Sequence, residues 1–342
     1  MLHVPIESFL NENKELPIID VRSPGEFEKG HVPGAVNLPI FTDLERAKVG
    51  TIYKQKSKDE AISVGLEIVG PKMKTMAEAA RSLARDKKLK LYCWRGGMRS
   101  EKMAWLFELV GLETIVLNNG YKAFRNHMHN SFKRIEQLIV IQGPTGSGKT
   151  LILNVLEKLG EQVIDLEGLA HHKGSAFGGL GELQQPTTEQ FQNNVFDKMM
   201  EFDFNRPIWI ESESMTIGKV YLPEELWEKM NLAKVISIEV PREVRIKNIV
   251  DQYGNFNTDQ LMAKTKQLRQ KLGSKKIDTI TECIDSGNLE RAVDLLLDYY
   301  DKTYAHSASK YKHNKPLPVS LSSDDPARNA RILLNQVYEL QQ

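Results

Sequence analysis

The 342-residue chain reads as two α/β domains in tandem, the second ending in a helical C-terminal region. Three observations predict this. Short apolar runs alternate with helix-like segments along most of the sequence, the pattern of parallel sheets whose strands are joined by helices. Two of those runs end directly in glycine-bearing loops that open helices, Cys93-Trp-Arg-Gly-Gly-Met-Arg-Ser100 and Gly143-Pro-Thr-Gly-Ser-Gly-Lys-Thr150. The length suffices for two cores of ordinary size.

In order along the chain, Leu16-Pro-Ile-Ile-Asp-Val21 is a short buried strand that runs into Arg22-Ser-Pro-Gly-Glu-Phe27, a turn and helix start. The stretch 30–39 is too rich in Pro and Gly for a helix and reads as a tight turn into an extended segment. Residues 73–85 look helical and 89–92 form the next strand. After the cysteine loop, Met103, Leu106, Phe107 and Val110 make an apolar stripe on a helix over 99–110, closed by Gly111. Residues 114–117 supply a further strand. These elements make a first domain over 1–124. Residues 125–136 are polar and basic, with Arg125, His127, His129, Lys133 and Arg134, and are expected to link the domains. The second domain, 137–342, has strands at 138–141, 162–165, 207–211 and 233–240, a helix at 151–159, and mostly helix from Pro241 onward.

Hydrophobic residues make up 41% of the chain and charged residues 27%. No apolar run approaches the roughly 18 residues that span a bilayer. The N-terminal segment lacks the basic stretch and long apolar core of a signal peptide, so no membrane and a cytoplasmic address are expected. Two cysteines far apart, Cys93 and Cys283, argue against a disulfide framework or a thiolate metal site. A net charge of +1 says nothing about a polyanionic partner. Locally, Lys264, Lys266, Arg269, Lys271, Lys275 and Lys276 cluster between Leu261 and Lys276 without an acid. That segment reads either as a phosphate-backbone contact or as a solvated helix face.

Chemistry concentrates in the two loops. A lone thiol behind a strand, a glycine pair that lets the backbone curl, and arginines at a helix start all favour Cys93 as an anion, and the thiolate is the nucleophile. The catalytic candidates are therefore Cys93, Arg95 and Arg99, weighed against a cysteine that is only a small core hydrophobe. Cys283, in a helix-like context without glycines or a nearby cation, reads as buried and inert. The second loop fits G-x-x-x-x-G-K-[ST] between a strand and an amphipathic helix. Gly143, Gly146 and Gly148 let amides approach phosphate oxygens, with Thr145 and Ser147 supplying further loop contacts. Lys149 neutralises the anion, and a magnesium ion could sit at Thr150. The alternative is a glycine-rich turn without a ligand. Asp165 and Glu211 are the carboxylates near strand ends, in no clean hydrolase motif.

Ile18-Ile-Asp-Val-Arg22, Glu26-Phe followed by Gly30-His-Val-Pro-Gly-Ala35, the cysteine loop and Asn119-Gly-Tyr-Lys-Ala-Phe124 together resemble the rhodanese domain of sulfurtransferases. The usual sulfurtransferase loop has four residues between Cys and Arg. Here five intervene between Cys93 and Arg99, the spacing of rhodanese-fold phosphatases, which suits an oxyanion as large as phosphate or selenophosphate. A rhodanese-like domain, a basic junction and a P-loop NTPase-like domain in that order resemble the bacterial tRNA 2-selenouridine synthases. Further family-like strings are Asn37-Leu-Pro-Ile-Phe-Thr-Asp43, Val69-Gly-Pro-Lys72, Asp165-Leu-Glu-Gly168, His172-Lys-Gly-Ser175, Phe177-Gly178, Glu211-Ser-Glu-Ser214 and Ile217-Gly218.

The resemblance implies replacement of the sulfur of wobble 2-thiouridine by selenium in tRNAs for Lys, Glu and Gln, with selenophosphate, drawn from a selenophosphate-producing enzyme, as donor. It also implies an S-geranyl-2-thiouridine intermediate made from geranyl diphosphate. These are co-substrates, and no tightly bound cofactor or metal site is expected; a monomer is the expected state. Cys93 would carry selenium, Arg95 and Arg99 would bind the donor's oxyanions, and the phosphate loop would hold geranyl diphosphate. Arg99 has the alternative of a structural ion pair with Asp20 or Glu26. Arg125, Lys133, Arg134 and the 261–276 segment are candidates for RNA contact, and Trp94 for stacking on an extruded base. Two rival functions remain in the sequence: a rhodanese-fold protein phosphatase, and an ATP-responsive RNA-binding module without chemistry.

Overall fold

The computed structural model describes residues 1–308 and 315–339; the last residues of the expected second domain, 340–342, lie outside it. The chain divides into two compact units, Met1–Ser131 and Phe132–Gln342.

The first unit runs β1 (Leu2–Val4), α1 (Ile6–Asn11), β2 (Ile18–Asp20), α2 (Pro24–Lys29), β3 (Val36–Asn37), α3 (Asp43–Gln55), α4 (Lys58–Val69), a 3-10 turn at Gly70–Lys72, α5 (Met73–Leu83), β4 (Lys88–Tyr92), α6 (Met98–Leu109), β5 (Glu113–Leu117) and α7 (Gly120–Phe132). Its five strands are parallel in the order β1-β5-β4-β2-β3. Strand alternation places Ile19, Leu89 and Leu91 in one core with Met76, Ala80, Met103 and Phe107 of α5 and α6. Asp20, Lys90 and Tyr92 fall on the opposite face. There the buried Lys90 ammonium donates to Phe9 O and Glu12 O, satisfying carbonyls at the end of α1. Tyr92 stacks with Tyr121 of α7.

Helices α3 and α4 were not foreseen. Both are started by hydroxyl caps, Thr42 accepting from Glu45 N and Ser57 from Glu60 N. Neither buries an apolar stripe: α3 has no buried residue, and α4 buries only Ala61 and Gly65. The stretch read as a basic junction is helix as far as Phe132, and Tyr121, Phe124, Met128 and Phe132 on it are fully buried.

The second unit runs β6 (Leu138–Gln142), α8 (Lys149–Lys158), β7 (Gln162–Ile164), α9 (Leu166–Ala170), α10 (Thr188–Met199), β8 (Ile208–Glu211), β9 (Thr216–Ile217), β10 (Val220–Tyr221), α11 (Glu224–Leu232), β11 (Lys234–Glu239), α12 (Arg242–Tyr253), α13 (Thr258–Lys266), α14 (Arg269–Leu272), α15 (Ser274–Asp285), α16 (Leu289–Ala308), β12 (Leu317–Ser320) and α17 (Pro326–Glu339). The main sheet is parallel, ordered β12-β11-β6-β8-β7. Strand order reverses about β6, so the loop after it opens at the switch point where such sheets bind ligands. The region after Pro241 is helical as expected except for β12. That strand contains Pro318, which an edge position tolerates because only one side must pair. Helices α13 to α16 bury Leu261, Leu268, Ile277, Ile280 and Leu296 against Phe177 and Leu180, with Cys283 half-buried beside them. Among the described residues no helix is long and apolar enough to cross a membrane.

Candidate functional site

Cys93 follows β4 directly and is all but buried, 3% exposed. Its loop is clamped by the turn between β5 and α7. Tyr121 N donates to Cys93 O at 2.8 Å and Lys122 N to Trp94 O at 3.0 Å. Gly120 and Gly96, both at positive φ, face each other, and a Cβ on Gly120 would overlap Cys93 O and lie 2.6 Å from Gly96 N. Only glycine permits that approach. Behind the clamp the buried Arg22 guanidinium pairs with Asp20 and lies 4.0 Å from the centre of the Tyr121 ring.

At the sulfur the nearest hydroxyl is Ser100, fully buried in the first turn of α6, which donates to Sγ at 3.2 Å and to Gly97 O at 3.0 Å. One hydroxyl proton serves both acceptors, and an anionic sulfur, the stronger one, draws it away from the carbonyl. Arg95 is exposed. Arg99 is engaged elsewhere: Nη1 lies 2.7 Å from Glu26 Oε2. Burial disfavours the Glu26 charge, but Arg99 outweighs it and holds the carboxyl below its usual range. Asp20, the other candidate partner of Arg99, is taken by Arg22. Trp94 is half-buried and tilts against Tyr121.

The second loop connects β6 to α8. Gly146 and Gly148 adopt positive φ, as the curl around an anion requires. Gly143 fits between Ile238 and Ser147, where a Cβ would come within 2.7 Å of both. From outside, α12 holds the loop's carbonyls: Arg245 Nε donates to Thr145 O and Asn248 Nδ2 to Gly146 O, each at 2.9 Å. With those carbonyls held from outside, the loop keeps its curl, in which Ser147 N donates to Pro144 O at 3.1 Å. Lys149 Nζ donates to Gly143 O at 3.0 Å and Thr150 Oγ1 to Glu167 Oε2 at 3.0 Å. Ser147 Oγ is buried without a partner. The two strand-end carboxylates part company here. Asp165 caps α9 through Gly168 N, whereas Glu211 is fully buried, accepts from Glu167 N at 2.8 Å and leaves Oε2 unpartnered.

Residues 6–127 match the family described as the rhodanese-like domain, and residues 136–319 match the family described as the tRNA 2-selenouridine synthase AAA domain. The second match alone covers more than half of the chain. The chain belongs to the tRNA 2-selenouridine synthase family. The tRNA 2-selenouridine synthase of Nitrosomonas europaea is 38% identical over 248 residues, 70% of this chain and 64% of that protein. That of Bdellovibrio bacteriovorus is 39% identical over 251 residues, 70% of this chain and 65% of that one. The synthase of a Sulfurovum species is 36% identical over 320 residues, 86% of each chain. The matches thus span just under two thirds of the length of the first two relatives.

In this member of the tRNA 2-selenouridine synthase family, several residues at the two loops escape sequence reasoning. Ser100 sits immediately after Arg99, so a hydroxyl at that position was the available signal. Glu167 and Glu213 lie inside family-like strings that carry no role by themselves. Arg245 and Asn248, on α12, belong to no motif at all. The basic 261–276 segment is split among α13, α14 and α15; Arg269 pairs with Asp278 and Lys276 with Asp298, while Lys266, Lys271 and Lys275 are exposed. Arg134 lies over the Phe204 ring at 5.2 Å.

Proposed function

We propose that the chain converts wobble 2-thiouridine of tRNA to 2-selenouridine in two steps, S-geranylation with geranyl diphosphate at the phosphate loop and displacement of the alkylthio group by selenium at Cys93. The observation that carries this reading is the coexistence, in one member of the family, of a loop-held thiol with a hydroxyl on its sulfur and a phosphate loop with its carbonyls held from behind. Thiocarbonyl sulfur leaves poorly, and alkylation lets a neutral thiol leave instead. The two loops then have successive tasks.

At the phosphate loop, Lys149 and the amides of Gly143 to Thr150 would stabilise the departing diphosphate by electrostatics arranged in advance. A magnesium ion on the diphosphate would meet the Thr150 hydroxyl, and no other ligand is assigned to it. At the thiol, the Cys93 thiolate would attack the phosphorus of selenophosphate as an activated nucleophile; the P–Se bond breaks to release selenide, which adds at C2 and expels geranyl thiol as the C2–S bond breaks, and hydrolysis of the S–P bond returns the thiol with inorganic phosphate. Arg95 is free to meet the donor's oxyanion, and Arg99 reaches it by exchanging Glu26 for the substrate. Incubation of the protein with 2-thiouridine tRNA and geranyl diphosphate, then selenophosphate, followed by mass spectrometry of the nucleosides, tests the proposal. S-geranyl-2-thiouridine and then 2-selenouridine are expected. Turnover of a phosphopeptide by Cys93 with neither nucleoside formed would replace the proposal with a phosphatase.

A further inference from the structure

An Arg99 that turns to the donor's oxyanion has to leave Glu26 behind, and the surroundings of that carboxylate show what then holds it. Arg99 grips it with both ends of its guanidinium, Nη1 at 2.7 Å from Oε2 and Nη2 at 3.4 Å from Oε1. A second arginine stands on the same carboxylate, with Arg46 Nε 3.6 Å from Oε2. Ser23, at the N-cap of α2, donates its amide and its hydroxyl to Oε2, each at 3.3 Å. Glu26 is therefore fixed by the capping box of its own helix, whether or not Arg99 stays. The start of α3 is tied to the same helix, because Gly25 N donates to both carboxyl oxygens of Asp43. That contact keeps Arg46, one turn further on, beside Glu26.

One carboxylate needs only one cation, and the second has a use when the first departs. The Glu26 side chain is 20% exposed, so stripping its sole cation would strand a half-buried charge, a costly state. With Arg46 and the Ser23 donors in place the charge stays compensated. Burial disfavours the Glu26 charge, yet Arg99, the Ser23 amide and Arg46 together hold the carboxyl below its ordinary range, so it is ionised at neutral pH. Arg46 is half exposed and sits at the distance of a loose ion pair, with room to close on Oε2 once Arg99 withdraws. Arg99 leaves the first turn of α6 next to Ser100, whose hydroxyl lies on Cys93 Sγ, so the turn that carries this guanidinium also meets the sulfur.

We propose that Glu26 and Arg46 together set the availability of Arg99: Glu26 restrains the guanidinium while the thiol site is empty, and Arg46 takes over the Glu26 carboxylate as Arg99 turns to the oxyanion of a phosphate-like donor. Both are positioning residues that act through Arg99. The assignment rests on Arg99 being an oxyanion ligand at Cys93.

The test is protection of Cys93 from iodoacetamide by inorganic phosphate, read on the Cys93 peptide by mass spectrometry at rising phosphate concentration. Wild type, Glu26→Gln, Arg46→Ala, the double variant and Arg99→Ala are compared. Glutamine keeps the capping geometry but not the charge, so Glu26→Gln should lower the half-protecting concentration by about tenfold. Arg46→Ala should raise it by about threefold, and the same substitution in the Glu26→Gln background should change nothing, because its effect runs through the Glu26 charge. Damage to the loop would weaken protection in every variant, whereas this device strengthens it in one and weakens it in another. Protection in Glu26→Gln equal to or weaker than wild type overturns the proposal, as does an Arg46→Ala effect that persists in the double variant. Should Glu26→Gln fail to fold, Arg46→Ala decides, since an unchanged half-protecting concentration there overturns the proposal as well. Wild-type protection in Arg99→Ala would instead overturn the oxyanion role of Arg99 itself, and the roles of Glu26 and Arg46 with it.

Discussion

Gly120→Ala isolates the clamp that shapes the cysteine loop. Gly120 has φ +54°, and its missing Cβ leaves room for backbone atoms of Cys93, Arg95 and Gly96. A left-handed alanine costs about 1–2 kcal/mol. Displacing a packed backbone adds about 1–3 kcal/mol, and the Tyr121-to-Cys93 and Lys122-to-Trp94 hydrogen bonds that would be strained are each worth about 1 kcal/mol. A loss of about 4–7 kcal/mol follows, a large share of the roughly 5–15 kcal/mol that holds a domain together. With slopes of about 1–3 kcal/mol per molar urea, the unfolding midpoint of the first unit falls by about 1 M or more. Urea titration followed by alkylation of Cys93 reads both the fold and the loop. Gly97→Ala is the control: a Cβ there meets nothing within 4 Å, so its cost stays under about 1 kcal/mol. Equal midpoints and equal Cys93 alkylation in Gly120→Ala and wild type would refute the clamp.

Ser100→Ala removes the hydroxyl from Cys93 Sγ; a hydrogen bond to a charged group is worth about 1.5–3 kcal/mol, so selenation should slow by about tenfold or more while S-alkylation at the phosphate loop is untouched, measured by separate single-step assays. Glu213→Gln should flatten the pH dependence of stability. Because its native carboxyl is raised to about 8 from an ordinary 4.5, the folded protein holds a proton that the unfolded chain has lost. The contribution of this carboxyl to stability is then fullest below pH 4.5 and is lost toward pH 8, with a slope of at most about 1.4 kcal/mol per pH unit. Melting curves across that window that are equally steep in variant and wild type would contradict the burial of this carboxyl. Replacing Lys264, Lys266 and Arg269 together with Ala should weaken tRNA binding and flatten its salt dependence by a little under about one unit for each phosphate no longer neutralised. Arg269 already has Asp278 as a partner, so its share should be the smallest; unchanged affinity and salt slope would return the segment to solvent.

What could be read from sequence follows from how locally each feature is determined. The phosphate loop was legible because its glycines and lysine dictate a turn whatever surrounds them. The strands β6 and β8 were legible because strands buried on both faces are near-continuous apolar runs. Helix α7 was hidden by its charges: Arg125, His127 and His129 dominate its composition, although Tyr121, Phe124, Met128 and Phe132 recur at helical spacing. Helices α3 and α4 bury too little apolar surface to leave a period, and β12 was masked by Pro318. The pairing of Glu167 with Glu213, and of Arg245 with the loop carbonyl of Thr145, joins segments distant in sequence, so only the fold reveals it.

The central claim is that the two loops perform separable steps on one nucleoside. Nucleoside mass spectrometry of tRNA from cells that depend on Cys93→Ser or on Lys149→Ala tests it directly. The account predicts that Cys93→Ser accumulates S-geranyl-2-thiouridine without 2-selenouridine. Lys149→Ala should instead leave 2-thiouridine unmodified, with selenation restored on pre-geranylated tRNA. Full 2-selenouridine in Cys93→Ser, or geranylation at the wild-type level in Lys149→Ala, would contradict it.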